Sequence, residues 1–128
     1  MRITNLRLED LPGGRGAAAQ VIWEQAKRPA ETLFLDVGGP WADRLQLRRE
    51  AFVLACLPSA FWCDERRLMI DAALCPRWGQ EFGQLTQLWE AQCSRRPDLL
   101  IEPQDGWQIP DRAAREFTAA FSPGEWMP

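Results

Sequence analysis

The sequence contains no histidine and no tyrosine, and Lys27 is its single lysine. Without histidine the chain lacks the usual general base, the commonest metal ligand and every Ser-His or Cys-His nucleophile. It has no apolar run long enough for a membrane span. Its 15 basic and 18 acidic residues give a net charge of -3, which argues against a nonspecific nucleic-acid binder. We therefore expect a protein that is noncatalytic on its own, with no cofactor, metal ion, nucleic acid or membrane as partner.

The four cysteines lack the CxxC spacing that brings two thiolates to one metal ion. They are Cys56, Cys63, Cys75 and Cys93. We expect free structural thiols, with a disulfide or a metal site as weaker alternatives. The first ten residues carry four charges and no apolar signal core. Together these features favour a reducing cytoplasm.

Apolar periodicity and turn residues predict a single α/β domain over residues 1–128. The predicted strands cover residues 2–8, 21–24, 32–37, 67–71 and 98–102. One helix is predicted over 41–57, ended by Pro58, and a second begins at Pro76. The apolar stripe of the second helix comprises Leu74, Trp78, Phe82, Leu85, Leu88 and Trp89. This order predicts a small mixed sheet with an antiparallel N-terminal hairpin and a β-α-β-α-β core.

Two glycine-containing segments were considered as ligand loops. Residues 12–16 match neither the dinucleotide nor the P-loop pattern, so we interpret them as a plain link between two strands. Gly38 and Gly39 follow the third strand and Asp71 follows the fourth, where open α/β sheets commonly bind ligands. Arg44 and Arg77 would then hold an anionic group. The paired arginines, including Arg48 and Arg49, have acidic neighbours, so we interpret them as solvated surface, with contacts to an anion or an acidic partner as the alternative.

The seven tryptophans form an unusually large set for a chain of this length. Those on predicted strands and helices, such as Trp23, Trp78 and Trp89, are expected in the core. Trp62, Trp107 and Trp126 fall in predicted links or in the tail, and we predict them as anchors for a protein partner. Residues 112–128 are predicted to form a short helix and tail, a possible interface segment.

Three short segments resemble the N-terminal accessory domain of PP-loop ATP pyrophosphatases, the group that includes deazaguanine nitrile synthases. They are residues 50–58, residues 68–76 and Phe121-Ser122-Pro123-Gly124. In that family the last segment would enter a Ser-Gly-Gly-x-Asp-Ser loop, and Ser122 and Gly124 match its first serine and second glycine. Pro123 replaces a glycine whose N–H would contact phosphate. The resemblance therefore implies an accessory domain with a degenerate loop.

Three functions follow as hypotheses. The first is a noncatalytic interaction or accessory module that binds a separately encoded, ATP-using enzyme or pairs with itself. The alternative is a domain that binds a small anionic ligand or nucleotide at the carboxyl ends of the parallel strands, through Gly38, Gly39, Arg44, Asp71 and Arg77. The third is a degenerate ATP pyrophosphatase-like enzyme, in which Ser122 and Gly124 would contact phosphate.

Overall fold

The computed structural model describes residues 1–94 and 98–109, which build one five-stranded sheet and two α-helices. The strands are β1 (Arg2–Leu11), β2 (Gly14–Ile22), β3 (Glu31–Gly38), β4 (Arg67–Ile70) and β5 (Leu100–Pro103). The helices are α1 (Arg49–Trp62) and α2 (Pro76–Cys93), and a short 3₁₀ helix spans Gly39–Arg44. The predicted α/β class and the N-terminal hairpin are confirmed. The predicted helix and tail at 112–128, with Ser122, Gly124 and Trp126, lie outside the described residues.

The strand order in the sheet is β3-β2-β1-β4-β5. β2 is antiparallel to both β1 and β3, whereas β4 is parallel to both β1 and β5. Strands β3 and β4 are consecutive around α1, yet β2 and β1 lie between them. Helix α1 therefore carries the chain across two strands, and β1 joins the antiparallel half of the sheet to the parallel half.

The N-terminal hairpin is longer and tighter than the sequence predicted. The chain turns at Pro12 and Gly13, where φ is +75°, and β2 begins at Gly14 rather than near Val21. Most of the predicted glycine-rich link is therefore strand. Gly16 suits this strand because the Phe34 ring of β3 occupies the place where a Cβ would lie, 2.5 Å from the nearest ring atom.

The first helix is shifted along the chain relative to its prediction. Residues 39–44 form the 3₁₀ helix, and α1 continues through Pro58 to Trp62. Proline removes the hydrogen bond to the carbonyl four residues earlier, which belongs to Leu54. Both Leu54 and Pro58 are exposed, so water can solvate that carbonyl. Solvation explains why proline does not end this helix.

Both helices contribute to one hydrophobic core with the sheet. Phe52, Val53 and Leu57 of α1 are buried with Ile3 and Ile70. Phe82 of α2 is fully buried, and Trp78, Leu85 and Trp89 pack around the same core. Leu88, predicted on this stripe, is half exposed. At about 100° per residue Leu88 lies roughly 120° around the helix from Phe82, which explains its exposure.

Glu65, in the link between α1 and β4, is the one buried charged side chain in the part of the chain that the structure describes. Its carboxylate accepts a hydrogen bond from the Met1 ammonium at 2.8 Å. It also accepts from the backbone amides of Glu24, Gln25 and Ala26 at 3.0–3.2 Å. This single group thus joins the start of β1, the segment after β2 and the end of α1.

The neighbouring Glu24 extends this cluster to the surface. Its carboxylate lies 3.1 Å from the Met1 ammonium and 2.8 Å from the Arg67 guanidinium. The hydrogen bond from Arg67 and the Met1 ammonium lower the pKa of Glu24 from 4.5 to about 2. Burial alone would raise the pKa of Glu65, but the hydrogen bonds from Met1, Ala26 and Gln25 outweigh it and lower that pKa.

We expect Glu65→Gln to lower the free energy of unfolding by about 2–3 kcal/mol, because it removes the buried counter-charge of the Met1 ammonium, which then keeps only the partly exposed Glu24 carboxylate. Glu102→Gln is the matched control, since Glu102 is half exposed and pairs with Arg67 at 3.4 Å. Glu102→Gln should lower the free energy of unfolding by less than about 1 kcal/mol. Urea unfolding at neutral pH measures both changes. Equal effects of the two substitutions would contradict the role given to Glu65.

The same groups set the acid sensitivity of the fold. Because the folded-state pKa of Glu24 is lowered to about 2, its stabilisation is complete above about pH 4.5 and is lost as pH falls towards 2. The pKa of Glu65 is also lowered, so its contribution changes with pH in the same direction. Urea unfolding at pH 6, 4 and 3 should therefore show a smaller loss of stability in Glu24→Gln than in the unchanged chain. A loss of the same size in both proteins would contradict this assignment.

Candidate functional site

A groove of about 390 Å³ lies beyond the carboxyl ends of β4 and β5. Residues 46–50 line it on one side, and residues 73–75 and 108–109 line it on the other. Its volume is within the range of small-molecule sites. This end of the parallel half of the sheet is the place where the sequence predicted a ligand.

Hydrogen bonds continue past the ends of β4 and β5 and form one wall of the groove. The Leu74 amide donates to the Gly106 carbonyl at 3.1 Å, and the Gln108 amide donates to the Leu74 carbonyl at 2.8 Å. Leu74 is fully buried, which anchors this wall in the core. The two residues that follow, Cys75 and Ile109, are thereby held at the groove on a paired backbone.

Two helix N-termini meet at the groove. Helix α1 follows Arg48 and helix α2 follows Cys75, with Pro76 at its first position, where proline loses no helical hydrogen bond. The Glu50 carboxylate in the first turn of α1 accepts a hydrogen bond from the Cys75 amide at 3.2 Å. Neither N-cap residue makes a side-chain capping hydrogen bond. Glu50 therefore ties the two helix starts together.

The charge around the groove favours an anion. Arg48 and Arg49 bring two positive charges and Glu50 brings one negative charge. The positive ends of two helix dipoles add to the arginines. A locally positive groove stands out in a chain whose net charge is -3. Arginine forks and backbone amides at helix starts are the groups that bind phosphates and carboxylates.

The ligand-binding residues predicted from sequence are divided by the structure. Asp71 directly follows β4, where its amide donates to the Ile3 carbonyl at 2.9 Å, and Arg77 is the second residue of α2. Both are exposed near the groove end of the molecule. Gly38 lies level with Leu11 at the far end of the hairpin, whereas β4 ends level with Ile3. These two levels are eight residues apart along β1, which corresponds to roughly 26 Å.

Gly39 and Arg44 belong to the 3₁₀ helix that follows β3. The Gly39 amide donates to the Gly13 carbonyl at 3.1 Å, which fixes the helix to the hairpin turn. The Arg44 guanidinium lies over the Trp41 ring, 5.0 Å from its centroid. Gly39 thus belongs with Gly38 at the hairpin end and not with Asp71 at the groove.

The predicted partner-binding tryptophans also lie apart. Trp62 is the last residue of α1, 52% exposed, with its ring against the edge of Phe61. Trp107 is 41% exposed and lies beside the groove residue Gln108. Since α1 starts at the groove, its last residue lies at the other end of the helix. Trp62 and Trp107 therefore do not form one continuous surface.

The sequence interpretation missed Arg48, Arg49 and Cys75 as groove residues. Glu50 directly follows the arginine pair, and an acidic neighbour favours solvated surface over the alternative of an anion contact. The signal that identifies the pair is its position directly before the first buried residues of α1, Phe52 and Val53. Two arginines at a helix start are unusual, because the helix dipole favours acidic residues there.

The cysteines have different environments. All four are free, and Cys56 is buried while Cys63, Cys75 and Cys93 are partly exposed. Burial raises the pKa of the Cys56 thiol to about 11, so that thiol is unreactive near neutral pH. Within residues 1–94 and 98–109, no three cysteine, aspartate or glutamate side chains are grouped closely enough to hold a metal ion.

A second depression of about 350 Å³ lies near the start of β4. It is lined by Glu24, Gln25, Glu65, Arg66, Arg67, Leu100 and Glu102. Its glutamates are engaged in the Met1 and Arg67 ion pairs described above. The charges of this depression are therefore paired within the chain.

Comparison with protein families, with curated proteins and with solved structures finds no match to this chain. In the described part of the chain, no helix is long and apolar enough to cross a membrane. The resemblance to PP-loop accessory domains stays a prediction, since Ser122 and Gly124 lie outside the described residues.

Trp107 is held beside the groove by its contact with α2, and two glycines of that helix offer a test. A Cβ on Gly79 would lie 2.9 Å from the Trp107 ring, whereas a Cβ on Gly83 would meet nothing within 4 Å. We expect Gly83→Ala to stabilise the fold by about 0.5–1 kcal/mol. Gly79→Ala should gain less, because it displaces Trp107, and it should alter the tryptophan fluorescence. Equal stabilisation with unchanged fluorescence would contradict the contact.

Proposed function

We propose that the protein binds a small anionic ligand, bearing phosphate or several carboxylates, in the groove between the starts of α1 and α2. The observation that supports this most directly is the placement of Arg48 and Arg49 on a groove of about 390 Å³ at the carboxyl ends of parallel strands. The remainder of the protein is acidic, so the same ligand is repelled from most other surfaces.

The groove residues suit binding better than chemical conversion. Among the described residues that line the groove, Glu50 is the one carboxylate, and it accepts a hydrogen bond from the Cys75 amide. A single engaged carboxylate without a neighbouring base is a poor acid-base catalyst. We therefore propose a noncatalytic binding domain, placed in a reducing cytoplasm where its four free thiols would persist.

A protein-interaction function is the second candidate, and exposed Trp62 supports it. An indole that is 52% exposed at a helix end is a suitable anchor for a partner surface. Because Trp62 and the groove lie at opposite ends of α1, ligand binding and partner binding would use separate surfaces. The accessory role suggested by the PP-loop resemblance belongs to this second candidate.

Cys75 provides a reporter for the groove. Iodoacetamide is uncharged and alkylates exposed thiols, so peptide mass spectrometry can follow Cys63, Cys75 and Cys93 separately. Inorganic pyrophosphate, citrate and ATP serve as probes. We expect at least one of them to slow alkylation of Cys75 saturably and to leave Cys93, at the far end of α2, unchanged. Unaltered Cys75 alkylation with all three probes at millimolar concentration would contradict the proposal.

Arg49→Gln tests the role of the arginines, with Arg66→Gln as the matched control. Both side chains are exposed arginines, but Arg49 lines the groove and Arg66 lines the second depression. Loss of a charge-assisted contact should raise the concentration of probe needed to protect Cys75 about tenfold in Arg49→Gln. Arg66→Gln should leave it unchanged. Similar effects of both substitutions would indicate general electrostatic attraction instead.

A further inference from the structure

The outer strand β3 carries an open edge that is independent of the groove. β3 is the first strand in the sheet order and pairs with β2 over its whole length without a register shift. No segment within residues 1–94 and 98–109 pairs with its other side. The backbone groups of every second residue of β3 therefore have no strand partner among the described residues.

The register identifies which groups face outward. The Gly39 amide donates to the Gly13 carbonyl, so residues 13 and 39 form a hydrogen-bonded antiparallel pair. Hydrogen-bonded pairs alternate along such a ladder, so the odd-numbered residues of β3 bond to β2. The amides and carbonyls of Thr32, Phe34 and Asp36 accordingly point away from the sheet.

β3 has few of the features that usually protect an edge: its two charges, Glu31 and Asp36, are not accompanied by a lysine, a proline or a bulge. Native edge strands carry lysine, proline or bulges that prevent pairing with another chain. Residues 31–38 contain no lysine, no arginine and no proline. At the centre of the strand Phe34 is 41% exposed and Leu35 is 44% exposed. The Phe34 ring is also held in place over Gly16. This edge is suited to pair with another strand.

The sequence of β3 is complementary to itself in one antiparallel register. When Phe34 lies opposite Phe34 of a second copy, Leu33 faces Leu35 and Thr32 faces Asp36. The Leu33–Leu35 and Thr32–Asp36 pairs each occur twice, once on either side of the two-fold axis that passes through the Phe34 pair. The threonine hydroxyl can donate to the aspartate, the apolar residues meet each other, and no two like charges are directly opposite. The outward groups of Thr32, Phe34 and Asp36 then form the hydrogen-bonded pairs.

We propose that β3 pairs with β3 of a second copy of this chain, centred on Phe34, so that two sheets join into one ten-stranded sheet. The contact is confined to one strand from each copy, which places it at the small end of specific interfaces. We expect a reversible homodimer with a Kd on the order of micromolar. This proposal does not depend on ligand binding in the groove.

Charge substitutions at Thr32 test both the dimer and its register. Thr32→Asp sets two aspartates opposite each other in the proposed register, and Thr32→Lys sets lysine opposite aspartate. By sedimentation velocity we expect the first to raise the Kd about fivefold and the second to lower it about fivefold. Thr32 is exposed, so the melting temperature should stay unchanged in both. Gln87→Asp and Gln87→Lys, on the exposed face of α2, control for net charge.

The double variant Thr32→Asp with Asp36→Lys provides a rescue. Within one copy these residues are four apart along an extended strand, roughly 13 Å, and do not meet. Across the proposed dimer aspartate again faces lysine, so the Kd should fall to the original value or below it. A chain that is monomeric at every concentration overturns the proposal. So does a dimer whose Kd responds to Thr32 no more than to Gln87.

Discussion

The fold depends on the buried carboxylate of Glu65. Its hydrogen-bond donors come from two parts of the chain that are distant in sequence: the Met1 ammonium and the segment after β2. The same ammonium also donates to the Arg67 carbonyl at the start of β4, at 2.9 Å. A buried charge is costly unless it is paired and fully hydrogen-bonded, and here both conditions are met. The cluster aligns Met1 with Arg67, which sets the parallel register between β1 and β4.

That register in turn positions the groove. Because β4 begins beside the start of β1, it ends level with Ile3, and the following residues run on alongside residues 104–108. The bulge at Asn5, where φ is +53°, adds one residue to β1 just past the end of β4. Among the described residues, the pairing of β1 with β4 ends at Ile3. The starts of α1 and α2, at Arg49 and Pro76, lie close together beyond this point. The ion-pair cluster and the groove lie at opposite ends of β4, so one end fixes the geometry of the other.

Local sequence patterns predict the strands and helices better than they predict which residues of different strands and helices come into contact. The order of strands and helices followed from local apolar patterns and turn residues. The hairpin length did not, because two glycines of the predicted loop are strand residues in close contact with β3, Gly14 beside the Val37 carbonyl and Gly16 under Phe34. Pro58 was wrongly taken as a helix end, since its effect depends on solvent access at Leu54. The convergence of Glu50 on Cys75 depends on the sheet order, in which α1 crosses β2 and β1, and short-range patterns carry no information on that order.

The two proposed functions follow from which charges are paired within the chain and which backbone groups have no partner among the described residues. Near β5, the Arg67 guanidinium forms ion pairs with both Glu24 and Glu102, so the charges of these side chains are paired within the chain. At the groove Arg49 lies beside the starts of two helices, and at β3 a row of backbone groups has no partner among the described residues. Positive potential from an arginine and helix N-termini attracts a small anion, whereas unpaired strand amides and carbonyls require another strand. The two surfaces thus select different kinds of ligand: Arg49 lines the groove, whereas Thr32 lies on the edge strand β3, at the opposite edge of the sheet from β5.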